Sequence, residues 1–281
     1  MILTPIEQSI KSKIESVGVP LKDWNISINY GIKTGYNPAF IINKEKRDEI
    51  LKNCKTQDEY KRTDELIRPI LRGKDINKYS YEFGNEYLIT TYNKYTDSNN
   101  VTHPSININD FPAVKAHLDQ YWGRINKRQD KGDTPYNLRR CAYMDDFNKP
   151  KLIWKVIGNK VAFALDKKKY LLNNACYMLT GEHIEYLTVM LNSPEITWYS
   201  FITNMNKTGM GEVQIGKQNI NLLPIPQDVE IIEKLKEKLD MYLSGKINIK
   251  YFETSSESII AKVYGLNEKE RSFLVAFKAN L

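Results

Sequence analysis

Hydrophobic positions along the chain change period every ten to fifteen residues, so the pattern predicts many short elements. Ile6, Ile10, Ile14 and Val17 recur at helical spacing, with Thr4 ahead of Pro5 and Glu7 three residues after the cap. That is a capping box opening an amphipathic helix, which Gly18 closes. "NISINYGI" then alternates around Ile26, Ile28 and Tyr30, and "AFII" follows, so Gly31 and Gly35 are expected in a tight turn between two short strands. "DEYKRTDELI" reads as a charged helix, Pro69 forces the chain out of it, and "PILRGKDINKY" reads as an ordered loop.

"EYLITTYN" reads as a strand, and "DFPAVKAHLDQYWGRINKRQDKG" as a helix with Val114, Leu118 and Ile125 on one face and a basic exit. "KLIWKVIGNKVAFALD" predicts a hairpin turned at Gly158-Asn159, and "YLLNNACYML" a further strand. Two helices follow, "IEYLTVML" and "PEITWYSFITNM", the second capped by Ser193 with Pro194 at its first position. A polar loop, "NKTGMGEVQIGKQNIN", leads to Pro224 and Pro226, which close the main unit. Beyond them Ile232, Leu235, Leu239 and Tyr242 form the seam of a helix that packs lengthwise on another, and the tail breaks into two short helices at Gly265. The expected class is mixed α/β (α+β): a sheet of short, mostly antiparallel strands with flanking helices over residues 1–226, then a helical C-terminal segment over 227–281.

Charge adds a direction to this outline. The 41 Lys and Arg exceed the 34 Asp and Glu, for a formal charge of +7, so the long-range field favours a polyanionic partner. Apolar runs are too short to span a bilayer and the N-terminus lacks a signal pattern, so a cytoplasmic chain without membrane contact is expected. Cys54, Cys141 and Cys176 are dispersed, as are His103, His117 and His183, and neither set has disulfide or metal spacing. The 18 Tyr offer stacking area and hydroxyls, although any one of them is more easily explained by core packing.

Catalytic motifs find little support. Asn37-Pro38-Ala39-Phe40 is one residue from the Asn-Pro-Pro-aromatic box that holds a flipped base in amino-group DNA methyltransferases, but no strand-turn-helix precedes it to hold a cofactor. Gly209 and Gly211 form a lone Gly-x-Gly that follows a helix, the wrong context for a nucleotide loop. Glu59-Tyr60-Lys61 and Asp166-Lys167-Lys168 have the acidic-x-Lys form of a nuclease core, yet such pairs arise by chance in a chain this charged, and both are expected on solvated faces. There is no G-x-S-x-G elbow. No catalytic and no metal residue is assigned.

Binding has more behind it. "IKTGYN", "LRGKD", "GRINKRQDKGD", "NLRRCAY" and "MNKTGMGEVQIGKQN" set Lys and Arg beside Gly, Thr, Asn and Tyr. Lys, Arg, Ser, Thr, Asn and backbone amides contact phosphates, whereas Arg, Asn and Gln read base edges. Taken singly, each loop is an ordinary polar surface loop; five in one basic chain point to DNA. The candidate contacts are Lys33, Thr34 and Tyr36; Arg72 and Lys74; Arg124, Lys127 and Arg128; Arg139 and Arg140; and Lys207 and Lys217. Arg72 is equally placed to pair with Asp75 and hold its own loop.

The order of segments resembles the TaqI-like C-terminal specificity domain, the target recognition domain of type IIG restriction-modification enzymes and related adenine-specific DNA methyltransferases. The likeness is carried by "PLKDWNISINYGIKTGYNPAFII", "IRPILRGKDINKY", "EYLI", "NLRRCAYMDDFNKPKLIW", "YLLNNACYML", "YLTVMLNSPEITWY", the Gly-Lys loop ahead of "INLLPIP", and "SIIAKVYGLNEKE". One departure is Glu212-Val213-Gln214, where an aromatic or basic residue is expected soon after the glycines. The resemblance implies sequence-specific recognition of double-stranded DNA without catalysis by this chain alone. S-adenosylmethionine and Mg then belong to a methyltransferase or nuclease domain of the same polypeptide or complex, and the likeness of Asn37–Phe40 to the catalytic box is accidental. Two rivals stay open: a protein-interaction module working through its C-terminal helices, and a complete DNA methyltransferase.

Overall fold

The computed structural model describes residues 3–158, 161–203, 206–207 and 213–279. At its centre is an antiparallel sheet in the order Phe163–Asp166, Lys151–Lys155, Cys176–Gly181, Ile26–Tyr30. Successive side chains of a strand point to opposite faces, and here both faces are covered. Leu152, Trp154, Phe163, Leu165, Leu179 and Ile28 face one hydrophobic cluster, whereas Ile153, Ala164, Met178 and Cys176 face another. A near-continuous apolar run such as "LIW" is what a strand buried on both sides requires.

The first cluster is completed by helices. Ile10 and Ile14 of Pro5–Val17, the helices Ile184–Leu191 and Pro194–Thr203, and the C-terminal helices Val229–Leu243, Ile249–Val263 and Glu268–Ala279 all contribute to it. The Thr4–Glu7 capping box is formed, and Ser193 Oγ accepts from the Ile196 amide at 3.3 Å. Of the expected seam, Ile232, Leu235 and Leu239 are buried within the chain itself and Tyr242 packs partly buried against the same cluster. An interaction surface built on Leu235 and Leu239 therefore has no free face. Lys13 and Ser9 also hold Glu270, and Lys78 holds Glu253, tying the tail back to the main body.

The second cluster lies under a smaller sheet, ordered Leu171–Leu172, Ile67–Leu71, Glu86–Ile89, Ile41–Asn43, in which only the first pairing is parallel. Several expectations are corrected here. Ile67–Leu71 is a strand although it contains Pro69. Its neighbour Leu171–Leu172 aligns only with Ile70 and Leu71, so the missing proline N–H falls where no partner strand stands. "YLLNNACYML" is two strands, because the chain changes sheets at Asn173–Ala175. Ile26–Tyr30 and Ile41–Asn43 likewise lie in different sheets, joined through a helical turn at Asn37–Phe40. The expected long helix around residue 120 breaks into Pro112–Asp119 and Trp122–Ile125, and Val114, Leu118 and Ile125 are all buried. The hairpin over 151–166 is present; Asn159, at its expected turn, lies outside the described residues. Among the described residues no helix is long and apolar enough to cross a membrane.

One ion pair is entirely enclosed. Lys151 and Asp166, opposite each other in the sheet register, meet at 2.6 Å with both side chains inaccessible. Lys151 Nζ also donates to the Phe147 carbonyl at 2.9 Å, and the carboxylate accepts from Tyr81 Oη at 3.0 Å and from the amides of Lys168 and Tyr170. Burial pushes the Lys151 amine below its ordinary range, and the Asp166 charge opposes that shift. Lys151→Met is expected to lower stability by about 3–5 kcal/mol in urea unfolding, because it strands a buried carboxylate; an unchanged midpoint would contradict this assignment.

Candidate nucleic-acid interface

The loop after Ile26–Tyr30 is shaped by contact with backbone. Gly31 donates to the Cys176 carbonyl at 2.9 Å and Ile32 to that of Leu172 at 2.7 Å. A Cβ on Gly31 would lie 1.9 Å from the Asn173 carbonyl oxygen, so no side chain fits. Gly35 takes the left-handed conformation, φ +72°, that glycine tolerates at no steric cost. Between them Thr34 is buried, its hydroxyl donating to Asn37 Oδ1 at 2.6 Å and accepting from the Tyr36 amide at 3.2 Å. Phe40 is fully buried, with the Arg128 guanidinium 4.4 Å above its ring. Within Asn37–Phe40 the aromatic ring is thus unavailable to stack on a base, and the asparagine oxygen is already engaged.

Arg128 is the tie between this loop and the segment after Trp122–Ile125. Only 7 % exposed, it donates to the carbonyls of Thr34, Asp130, Pro135 and Asn137, at 2.8 Å for Asp130 and 3.1 Å for Pro135. Burial pushes its pKa down to about 10, so it stays charged at neutral pH. Thr34 and Arg128 therefore shape the surface from below, a role different from the direct contact their sequence neighbourhood suggests. Burial of one basic residue among several is not visible in "INKRQDKG".

Around Arg128 six further candidates converge from distant parts of the chain: Lys33, Tyr36, Arg124, Lys127, Arg139 and Arg140. Lys33 and Arg139 share Asp130, at 2.9 and 3.3 Å, and Arg140 pairs with Asp133 at 2.6 Å. Both carboxylates are held below their usual range, Asp130 by the Lys33 hydrogen bond and Asp133 by that of Arg140. Tyr36, half-buried beside Tyr121, lines a hollow of about 670 Å³ together with Arg124 and Lys127. Arg124 and Lys127 are exposed and have no carboxylate partner among the described residues.

A second basic region flanks a cleft of about 880 Å³ whose lining includes Arg72, Lys74, Lys78, Lys155, Asn173 and Asn174. Arg72 places its backbone N–H on Asp75 at 2.7 Å and its guanidinium on Glu86, so the loop-holding role suggested for it is partly realised through the main chain. Lys74 is mostly exposed, 3.9 Å from the same Glu86. Lys155, at the end of its strand, has no carboxylate partner among the described residues and was not singled out in the sequence; the signal for it is a lysine closing an apolar strand. Val213–Gln214 pairs with Ile157–Gly158, two residues of the cleft lining. Lys217 is exposed at the start of the turn Lys217–Ile220. Lys207 pairs through its backbone with Val213, but its side chain, like Gly209, Gly211 and Glu212, lies outside the described residues. Asn173 adjoins both regions, bridging to Ile32 and lining the cleft.

The acidic members of the two acidic-x-Lys pairs are not solvated, although Lys61 and Lys168 are exposed. Glu59 is buried and accepts from the amides of Lys55 and Ala113 at 2.9 and 3.0 Å, and Asp166 is enclosed with Lys151. Among the described residues no group of three His, Cys, Asp or Glu side chains could hold a metal ion.

The TaqI-like C-terminal specificity domain family matches residues 68–225, more than half of the chain. Two solved structures share its fold: the type IIL restriction-modification enzyme MmeI, determined in complex with DNA, and the type IIG restriction endonuclease BpuSI. MmeI is 11 % identical with a TM-score of 0.62 over 93 % of this chain, and BpuSI 14 % identical with a TM-score of 0.50 over 94 %. This chain spans 36 % and 33 % of those two, about a third of each. No curated protein matches it. The extent of the family match, on a fold shared with two restriction enzymes, makes this chain a member of the TaqI-like C-terminal specificity domain family.

Proposed function

We propose that this chain recognises a short sequence in double-stranded DNA as the specificity part of a cytoplasmic restriction-modification enzyme. Methyl transfer and cleavage, with their S-adenosylmethionine and Mg, fall to catalytic segments outside these 281 residues. Family membership supports the reading, and one observation carries it. Residues 31–36 and 124–140, almost a hundred positions apart, are drawn into one basic surface over the buried Arg128. Arg124 and Lys127 offer uncommitted charge for phosphates, Tyr36 offers a ring edge, and Arg139 and Arg140 are steadied by carboxylates. The second basic region, around Arg72, Lys74 and Lys155, extends the same polyanion-binding character past Asn173. Residues 1–226 bear the recognition surface over one hydrophobic cluster, and the helices of 227–281 complete the other, across the central sheet.

Arg124→Ala and Lys127→Ala are each expected to weaken binding to every duplex alike and to lower the slope of log affinity against log salt by about one. Fluorescence anisotropy across a salt series measures both, and unchanged slopes would take these residues out of the interface. Arg128→Lys should keep the charge yet lose the multiple carbonyl bonds, so hydrogen exchange at residues 31–36 and 130–137 should rise; equal protection in the variant would contradict the tie. Equilibrium dialysis with labelled S-adenosylmethionine should detect no binding to this chain, and saturable binding would return it to the methyltransferases.

A further inference from the structure

The exposed arginines of the basic surface differ in how they are held. Arg140 is 78 % exposed, yet its guanidinium is gripped from the side: Nε and Nη2 both donate to Asp133 Oδ1, at 3.2 and 2.6 Å. Asp133 is itself fixed. Its other oxygen accepts from Ser105 Oγ at 2.7 Å, and its amide donates at 2.7 Å to Oδ1 of Asn93, whose buried side chain also donates to the Leu138 carbonyl. A side-on grip of this kind uses the Nε edge and leaves Nη1 and the outer N–H of Nη2 facing away from the protein. Those two parallel donors match O6 and N7 of guanine in the major groove, the commonest bidentate contact between arginine and a base. Arg139 differs, because its terminal Nη1 is spent on Asp130, which also holds Lys33. Arg124 and Lys127 have no carboxylate brace among the described residues, which suits contacts to phosphate at variable distance.

We infer that Arg140 reads a guanine in the recognised DNA and that Asp133 is the positioning residue that holds it in its reading pose. This rests on the specificity-domain reading above. Bracing removes rotamer freedom before binding, so less entropy is lost when the base contact forms. It also discriminates, since the braced planar fork meets guanine O6 and N7 in one fixed orientation, whereas a lysine at the same place would donate to them from a flexible, unbraced stem.

The test uses the full chain and its Arg140→Ala, Arg140→Lys, Asp133→Asn and Lys127→Ala variants on one randomised duplex pool, with the retained DNA sequenced and thermal midpoints compared. Wild type should enrich a motif containing guanine. Arg140→Ala should lose the guanine at one position while keeping the others, with affinity for the best sequence falling roughly 5- to 150-fold, and Arg140→Lys, which can still donate to O6 and N7 but without the braced fork, should relax the same position by a smaller factor. Asp133→Asn should relax the same position by a smaller factor, and Lys127→Ala should leave the motif intact. An unaltered motif in Arg140→Ala overturns the inference, as does an even loss across all sequences in that variant or wild-type binding without any motif. Retention of no DNA by wild type at low salt overturns the specificity-domain reading itself.

Discussion

A sheet buried on both faces can act only through what leaves its ends. Trp154 stacks on Tyr177 in one core while Ile153, its neighbour in the strand, packs in the other, so the inner strands of the central sheet are covered on both faces and only the edge strand Ile26–Tyr30 shows exposed side chains, at Ser27 and Tyr30. The Lys151–Asp166 pair fixes the same strands in register without opening them to water, since a one-residue slip would bury two separated charges. What the sheet leaves for the proposed recognition is the segments at its strand ends, Gly31–Tyr36 after one strand and the stretch from Lys155 that closes another.

Loops that carry function need a fixed base. Arg128 supplies it for the first basic region with a guanidinium spent on main-chain carbonyls from both sides of the surface. Carboxylates supply it at the next level, with Asp130 and Asp133 each holding exposed cations in place. The outcome is a graded surface of buried charge, carboxylate-braced charge and charge unpaired among the described residues; in the proposed reading these respectively shape, orient and neutralise. Such grading is a physical route to separating affinity, which phosphates dominate, from sequence discrimination, which needs geometry.

Much of the scaffold was legible in the sequence because the relevant forces are local. The Thr4–Glu7 capping box, the Ser193-Pro194 helix start and the Ile232–Leu239 seam are each decided within a few residues. Where the sequence misled, a distant partner decided. Pro69 sits in a strand because its neighbour begins one residue later, and "YLLNNACYML" splits because Asn173 meets Gly31. The candidate surface shows the same division. Basic loops could be read from composition, but Arg128 could not be told from Lys127, since its carbonyl partners include Thr34, 94 positions away. Glu59 and Asp166 looked solvated for the same reason, their partners lying on other elements.

The central claim is that one basic face, assembled from loops, meets DNA while the helices behind it do not. Hydrogen exchange of the full chain, with and without a randomised duplex pool at low salt, tests it most directly. The account predicts protection at residues 31–37 and 124–140, with a further effect around 72–78 and 155–158. Protection confined to the helices of 229–279, or none anywhere under conditions where DNA is bound, would contradict it.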